Sequence, residues 1–472
     1  MINNYFIQQI KTFSIFKFTD EQEIAIKLLT DFLFSTDQQT AFVLKGYAGT
    51  GKTSIVAAVV KTMQYFSQKV VLLAPTGRSA KTFSHAAAMP ASTIHKKIYR
   101  QKVYVGTGGV FVLSENLHKN TLFIVDEASM LAAGRADALT FGSGRLLDDL
   151  IQYVYAEPSC KLLLIGDPAQ LPPVGEVESP ALSLSVLAGY GLQVATNELT
   201  QVMRQLENSG ILWNATALRQ LIRTGNTGRM PPITVSRFTD VVHVQGSELI
   251  ETLAASYDSV GMDETIVISR SNKRATIYNE GIRNQLLFRE ESLSSGDYLM
   301  VAKNNYFWSE KCKELDFIAN GDIVRVKRVR NTRELYGFHF ADVELDFIDY
   351  AHLVIEVTVL LDTLHAEAPA LSKQQQEELY TQVWADYAFI TTKTERIKKL
   401  KSDIYFNALQ IKFAYAVTCH KAQGGQWQHV YLDQGYIPEE QLTSDYYRWL
   451  YTAMTRASEK LFLVNYPSDL LL

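Results

Sequence analysis

The sequence has little cysteine: Cys160, Cys312 and Cys419 are its three, far apart and odd in number, with no C-x-x-C pair. That excludes a disulfide framework and a cysteine-built zinc site, and it fits a reducing cytoplasm. Long apolar runs are missing too. No stretch approaches the roughly 18–20 residues that cross a bilayer, and the opening MINNYFIQQIKTF lacks the basic, apolar and cleavage-site order of a secretory leader. A soluble, cytoplasmic chain with no membrane partner is therefore expected. Excess positive charge is absent as well, since 46 Lys and Arg against 50 Asp and Glu leave a net −4. A protein that binds polyanions over its whole surface is excluded, so any nucleic-acid track must be local. Neither an internal repeat, nor a low-complexity tract, nor a nuclease-like metal cluster is evident.

What is present is core material. The 472 residues are 47% hydrophobic and 11% aromatic, enough for about three domains of roughly 150 residues each. The chain is organised around Gly46-Tyr47-Ala48-Gly49-Thr50-Gly51-Lys52-Thr53, which fits the phosphate-loop pattern G-x-x-x-x-G-K-[ST] at every fixed position. Ala41 to Lys45 reads as a short buried strand before it, and Thr53 to Phe66 as a helix after it. In that setting backbone N–H groups and a helix N-terminus face a triphosphate, Lys52 adds positive charge, and the Thr53 hydroxyl can ligate Mg²⁺. The expected nucleotide contacts are Gly46, Ala48, Gly49, Thr50, Gly51, Lys52, Thr53 and Ser54.

Three further buried strands end in polar loops. Lys69 to Ala74 leads into Pro75-Thr76-Gly77-Arg78-Ser79-Ala80-Lys81, and such a loop lies on the ligand face of a parallel sheet. Arg78 and Lys81 there are either solvated helix charges or contacts to a phosphate backbone. Thr121 to Val125 ends in Asp126 and Glu127, two carboxylates that are costly at a buried strand end unless they have work. Asp126 is expected to hold Mg²⁺ with Thr53, and Glu127 to orient and deprotonate the attacking water. Lys161 to Ile165 ends in Gly166-Asp167-Pro168-Ala169-Gln170, which places the Gln170 amide where it can sense a γ-phosphate.

Upstream, Thr19 reads as the N-cap of a helix running to about Phe34. Gln22 belongs either to that cap or to recognition of the adenine edge. After Ser92-Thr93-Ile94-His95, alternating strands at 99–105 and 110–113 flank Gly106-Thr107-Gly108-Gly109, a hairpin signal. It is either a projecting device or a decorative loop.

This ordered series resembles the superfamily 1B helicases, in detail their RecD-like and Dda-like members, over most of the chain. The motifs are Phe18 to Gln22, GYAGTGKT, APTGRSAK, STIH, DEASM and GDPAQLPPVG, then Glu198 to Gln205 (ELTQVMRQ), Asn320-Gly321-Asp322, TCHKAQGGQ from Thr418, and YTAMTRA ending at Arg456-Ala457, within a UvrD-like C-terminal motor domain. The resemblance implies an α/β fold of two RecA-like P-loop motor domains, with a β-hairpin inserted in the first and an SH3-like β insertion in the second. It also implies that Arg204 and Arg456 reach the nucleotide, that Gln423 and Gly424 sit near the phosphates, and that Pro75, Thr76, Arg78, Thr93, His95, Thr418 and His420 touch DNA. By itself Arg456 reads more often as a helix C-terminal cap.

The expected division is 1–97 and 118–225 for the first motor domain, with 98–117 as a hairpin that splits duplex. The second motor domain is expected at 226–322 and 408–472, and the β insertion with a charged helical extension at 323–407. That extension reads as a solvated hairpin or as a tower over the barrel. The function implied is an ATP- and Mg²⁺-dependent helicase moving 5′-to-3′ on single-stranded DNA and acting at junctions with duplex, in repair, recombination or replication. A compact monomer is expected, with single-strand-binding or other repair proteins as its partners. An RNA-directed helicase and a non-translocating ATP-switched subunit of a repair complex remain open alternatives.

Overall fold

The computed structural model describes residues 2–105, 108–134, 141–203, 208–311, 315, 317–350 and 353–472. Thr40–Gly46, Lys69–Ala74, Thr121–Val125 and Lys161–Gly166 are nearly continuous apolar runs, the composition of strands covered on both faces. They form the centre of a six-stranded sheet in the order Ala91–Thr93, Lys69–Ala74, Thr121–Val125, Lys161–Gly166, Thr40–Gly46, Gln193–Leu199, parallel throughout. The two edge strands carry no buried run: one has three residues, and the other reads QVATNEL with most positions partly exposed. One core on this sheet includes Ile26, Ile55 and Val59, and the other includes Leu147, Leu150 and Val154. The carboxyl ends of the central strands therefore gather the loops at 46–53, 75–81, 126–130 and 166–175 along one edge.

The aperiodic N-terminus forms a helix, Ile2–Phe13, that buries only Phe6 and Ile10. Two residues one turn apart are enough to dock it but too few to mark a periodic stripe. The hairpin strands Tyr99–Val105 and Gly108–Leu113 pair antiparallel, while the turn residues Gly106 and Thr107 lie outside the described residues. At its root the Phe111 ring packs at a tilt against Tyr306 with centroids 4.5 Å apart, and Phe141 and Phe317 complete the aromatic cluster.

A second parallel sheet runs Ala416–Thr418, Thr265–Ser269, Trp427–Asp433, Ala457–Val464, Val241–Val244. Tyr298–Val301, Ile323–Leu335, Phe338–Phe347, Leu353–Leu360 and Leu409–Phe413 close into a small barrel. The fold class is thus α/β, with two RecA-like sheets, a hairpin beside the first and a β barrel inserted in the second.

Two boundaries differ from the sequence expectation. The barrel is wider than 323–407, because Tyr298–Val301 pairs with residues 323–325 and 411–413 rather than with the motor sheet. A four-residue buried run does not reveal which ladder it joins. The helix Gly210–Thr224 was expected before the boundary at 225, yet its Ile211, Ala215 and Leu218 share the core of the second sheet. Asp240, just ahead of that sheet's edge strand, accepts hydrogen bonds from Ser209 Oγ and Gly210 N, both at 2.8 Å. The helical extension, Lys373–Asp386 and Lys393–Lys401, packs Leu379, Val383 and Leu400 against Phe338, Phe340 and Leu360 of the barrel. It is a tower with its own small core.

Candidate active site

The strand Thr40–Gly46 delivers the loop, and the helix Lys52–Tyr65 starts where the loop ends. Gly49 and Gly51 have φ of +74° and +82°, values that favour glycine. Gly51 is doubly constrained, since a Cβ there would come within 2.5 Å of Gln22 Nε2. Gln22 is buried and braces the loop. Its side-chain oxygen accepts from Thr19 N at 3.0 Å, closing a capping box, and Nε2 donates to the Thr50 carbonyl at 3.0 Å. The capping role is seen, and the same amide supports the phosphate loop.

Lys52 Nζ donates to the carbonyls of Gly46 at 2.6 Å and Tyr47 at 2.9 Å. These are neutral acceptors that an anionic phosphate displaces readily. Asp126 and Glu127 follow the strand Thr121–Val125 as expected. Burial pushes the Asp126 carboxyl up to about 7, with Glu127 adding to the rise, while a bond from Glu127 N and the charge of Lys52 oppose it. The oxygen donor set of the Asp126 carboxylate with the Thr53 hydroxyl fits a hard divalent ion. Glu127 has φ +52°, strained backbone for a side-chain-bearing residue. Gln170 is buried, and its Oε1 has no hydrogen-bond partner. A buried carbonyl oxygen without a donor suits a site that receives one, such as an attacking water.

The second sheet supplies the opposite wall. The helix Ser444–Met454 is capped by Thr455 and followed by Arg456, which is buried and donates to the carbonyls of Thr452 and Gly425, each at 3.1 Å. Its Nη1 lies 3.9 Å from Glu127 Oε1 across the cleft. Thr452 Oγ1 accepts from Leu171 N and Gln423 Nε2 donates to Leu171 O, both at 2.8 Å. Gln423 thus holds the loop after Gln170, whereas a Cβ at Gly424 would meet Thr76 Oγ1 at 3.0 Å and Ser79 Cβ at 3.1 Å, in the loop at 75–81. Arg204 lies outside the described residues, though Met203 N donates to Gly49 O at 3.1 Å.

A cleft of about 490 Å³ runs between the two sheets and the barrel. It brings together Pro75, Thr76, Arg78, Thr93, His95 and His420. Thr418 lines an adjoining recess that shares Lys421 with the cleft. Thr76 and Thr93 also cap the helices Gly77–Ala87 and Ile94–Ile98. Arg78 donates to Gln426 O at 2.8 Å and stacks on Trp427 at 4.0 Å. His95 sits among Tyr99, Phe141 and Phe317, and burial lowers its pKa to about 4. It is neutral near pH 7, so it can stack or hydrogen-bond but not pair with a phosphate. Lys421 and Trp427 follow Thr418 within or beside the quoted motif, so a signal for them was present. The acids Asp263, Glu264 and Asp349 in the same lining carried none.

Asp322, from the N-G-D segment, is buried in this wall and accepts from Ala319 N at 2.8 Å and Tyr350 Oη at 3.1 Å. Burial outweighs those bonds and pushes its pKa up to about 7. A carboxyl raised on folding adds stability below its unfolded value near 4, and that contribution is lost as pH rises through about 7. Asp322→Asn is therefore expected to lose less melting temperature than the parent between about pH 5 and pH 8, by a few degrees. Superimposable pH profiles would refute the assignment.

Fold and site together define a P-loop enzyme that hydrolyses ATP between two RecA-like domains. A family described as AAA domain matches residues 17–245, and one described as UvrD-like helicase C-terminal domain matches residues 413–464. The ATP-dependent RecD2 DNA helicase of Deinococcus radiodurans is 24% identical over 433 residues, covering 89% of this chain and 46% of that protein. An uncharacterized protein of Acanthamoeba polyphaga mimivirus is 24% identical over 521 residues, covering 94% of this chain and 99% of that one. Among solved structures, Pif1 helicase from Bacteroides in complex with ADP-AlF3 and ssDNA aligns over 97% of this chain and 95% of that one, with TM-score 0.46 and 15% identity. Over the two regions matched by these models the chain is similar to RecD-like superfamily 1B helicases.

Proposed function

We propose that this chain is a monomeric, ATP-driven motor that moves 5′-to-3′ on single-stranded DNA and opens duplex at junctions, in repair, recombination or replication. The observation that carries the reading is the approach of Arg456 to Glu127 across the cleft, beside a groove walled by both domains. On ATP binding Lys52 would leave the Gly46 and Tyr47 carbonyls for the phosphates. Gln170 would hold the attacking water, Glu127 would take its proton, and Arg456 would offset charge on the γ-phosphoryl group as it passes from ADP to water. Arg204 is assigned the same neighbourhood. Thr53 and Asp126 would hold Mg²⁺, which supplies charge neutralisation at the phosphates.

Loss of γ-phosphate contacts on hydrolysis would let the domains part, and each cycle would advance the strand lying over Thr76, His95 and His420. Arg78 would exchange its stack on Trp427 for phosphate. Contacts to backbone imply little sequence preference and strong salt dependence. The hairpin at 99–113, seated on its aromatic root, is assigned the role of a separating pin.

The test is strand separation by the purified chain, with ATP and Mg²⁺, on matched duplexes carrying a 5′ or a 3′ single-stranded DNA tail. Unwinding from the 5′ tail alone, abolished by Lys52→Ala and weakened far more than ATPase activity by deletion of Gly106 to Gly109, is the expected result. Activity from the 3′ tail alone overturns the polarity, preference for RNA tails overturns the substrate, and equal loss of both activities in the deletion overturns the pin.

A further inference from the structure

Tyr451 is buried in the helix Ser444–Met454, and its hydroxyl lies between two groups of the first domain. The Ala48 amide donates to the hydroxyl oxygen at 2.9 Å, and the hydroxyl donates to Asp167 Oδ2 at 2.7 Å. Asp167 is itself buried, accepts from Ala169 N at 2.9 Å through its other oxygen, and precedes Gln170 by three residues. With its hydrogen committed to a carboxylate, the phenol presents only lone pairs to Ala48. It therefore stands toward the phosphate loop as an anionic oxygen would.

We propose that Tyr451 is the positioning residue through which nucleotide on the phosphate loop acts on the second motor domain, its hydroxyl and a phosphate oxygen competing for the Ala48 amide. The proposal rests on the nucleotide reading of this loop. A phosphate carries more charge than a phenol, so it takes the amide and the tie between loop and helix is broken. Tyr451 then remains on Asp167 alone. The same helix carries Thr452, bonded to Leu171 N, and runs directly into Arg456. Loss of the Ala48 bond thus uncouples the phosphate loop from the segment whose end faces Glu127, while Asp167 and Leu171 still hold that segment. Burial raises the Tyr451 phenol well above its ordinary value, so it stays protonated and keeps its hydrogen to donate to Asp167 in both states.

The test compares the full chain with Tyr451→Phe, titrating the non-hydrolysable analogue AMP-PNP and measuring steady-state ATP turnover. Removing the competing hydroxyl should tighten AMP-PNP binding about three- to tenfold, the net worth of one hydrogen bond. ATP turnover should show both a lower KM and a lower kcat, and the melting shift on AMP-PNP should exceed that of the parent. Thr452→Val breaks the neighbouring tie to Leu171 and should leave AMP-PNP affinity at the parental value. Unchanged or weaker binding by Tyr451→Phe overturns the proposal, as does equal tightening by Thr452→Val, which would mean a generally loosened interface. Failure of the parent chain to bind AMP-PNP would overturn the nucleotide reading instead.

Discussion

Glu127→Gln is expected to lower ATP turnover by about 10²- to 10⁴-fold, the usual share of a general base, while leaving nucleotide affinity close to parental. Glutamine has the same shape and can still hydrogen-bond water, but it cannot accept a proton. The substitution is structurally mild. It keeps the backbone at φ +52° with a side chain of equal size, and it removes the like charge that helps to raise Asp126. The melting temperature should therefore hold or rise. Steady-state hydrolysis, AMP-PNP titration and a melting curve on one preparation separate these effects. Turnover within a few-fold of the parent would remove Glu127 from the chemistry, and parallel losses of turnover and stability would make its role structural.

Legibility from sequence followed local chemistry. The phosphate loop, the carboxylate pair and the strands leading into them could be read because each is a run of adjacent residues at a buried strand end. The structure brings Lys52, Asp126, Glu127 and Gln170 to one edge for the reason the pattern implied: parallel strands point their carboxyl ends the same way. What was not legible depends on partners distant in the chain. Tyr451 looks like any apolar-face residue of its helix until Ala48 and Asp167, roughly 400 and 280 positions away, are seen on its hydroxyl. Tyr298–Val301 is an ordinary buried strand until its ladder shows it to be the first stave of the barrel. Gln22 was ambiguous because one amide serves two structures, the cap of its own helix and the carbonyl of Thr50.

The cleft is tied across its width in this conformation. Arg78 reaches Gln426 and Trp427, and Lys81 lies 3.7 Å from Asp349 on the barrel side. These cations use carbonyl, aromatic and carboxylate partners at positions where a nucleic-acid backbone would offer phosphates. The pair Lys81–Asp349 is long at 3.7 Å and open to solvent on its lysine side, so it adds little to stability, and a strand entering the cleft would exchange weak contacts for charge-assisted ones. A chain of net −4 can hold a polyanion in this way, through a few cations facing one groove.

Arg456→Lys carries the second large effect. The guanidinium is buried and divides its donors among Thr452 O, Gly425 O and Thr455 Oγ1, with Glu127 at 3.9 Å. That distribution fixes the fork, so the face toward Glu127 is aimed by bonds on the other side. Lysine keeps the charge but offers a single point of donation, which cannot satisfy both carbonyls and also face the phosphoryl group. Turnover is expected to fall by about 10³-fold, the low end for loss of an arginine finger. Arg456→Ala should fall at least as far and also melt lower, because two buried carbonyls then lose their donor. AMP-PNP affinity should change by less than tenfold in the lysine variant if the contact forms mainly in the transition state. Near-parental turnover by Arg456→Lys would show that charge alone suffices. Parental turnover by Arg456→Ala would return this residue to the cap of its helix and leave the far side of the nucleotide site without an assigned cation among the described residues.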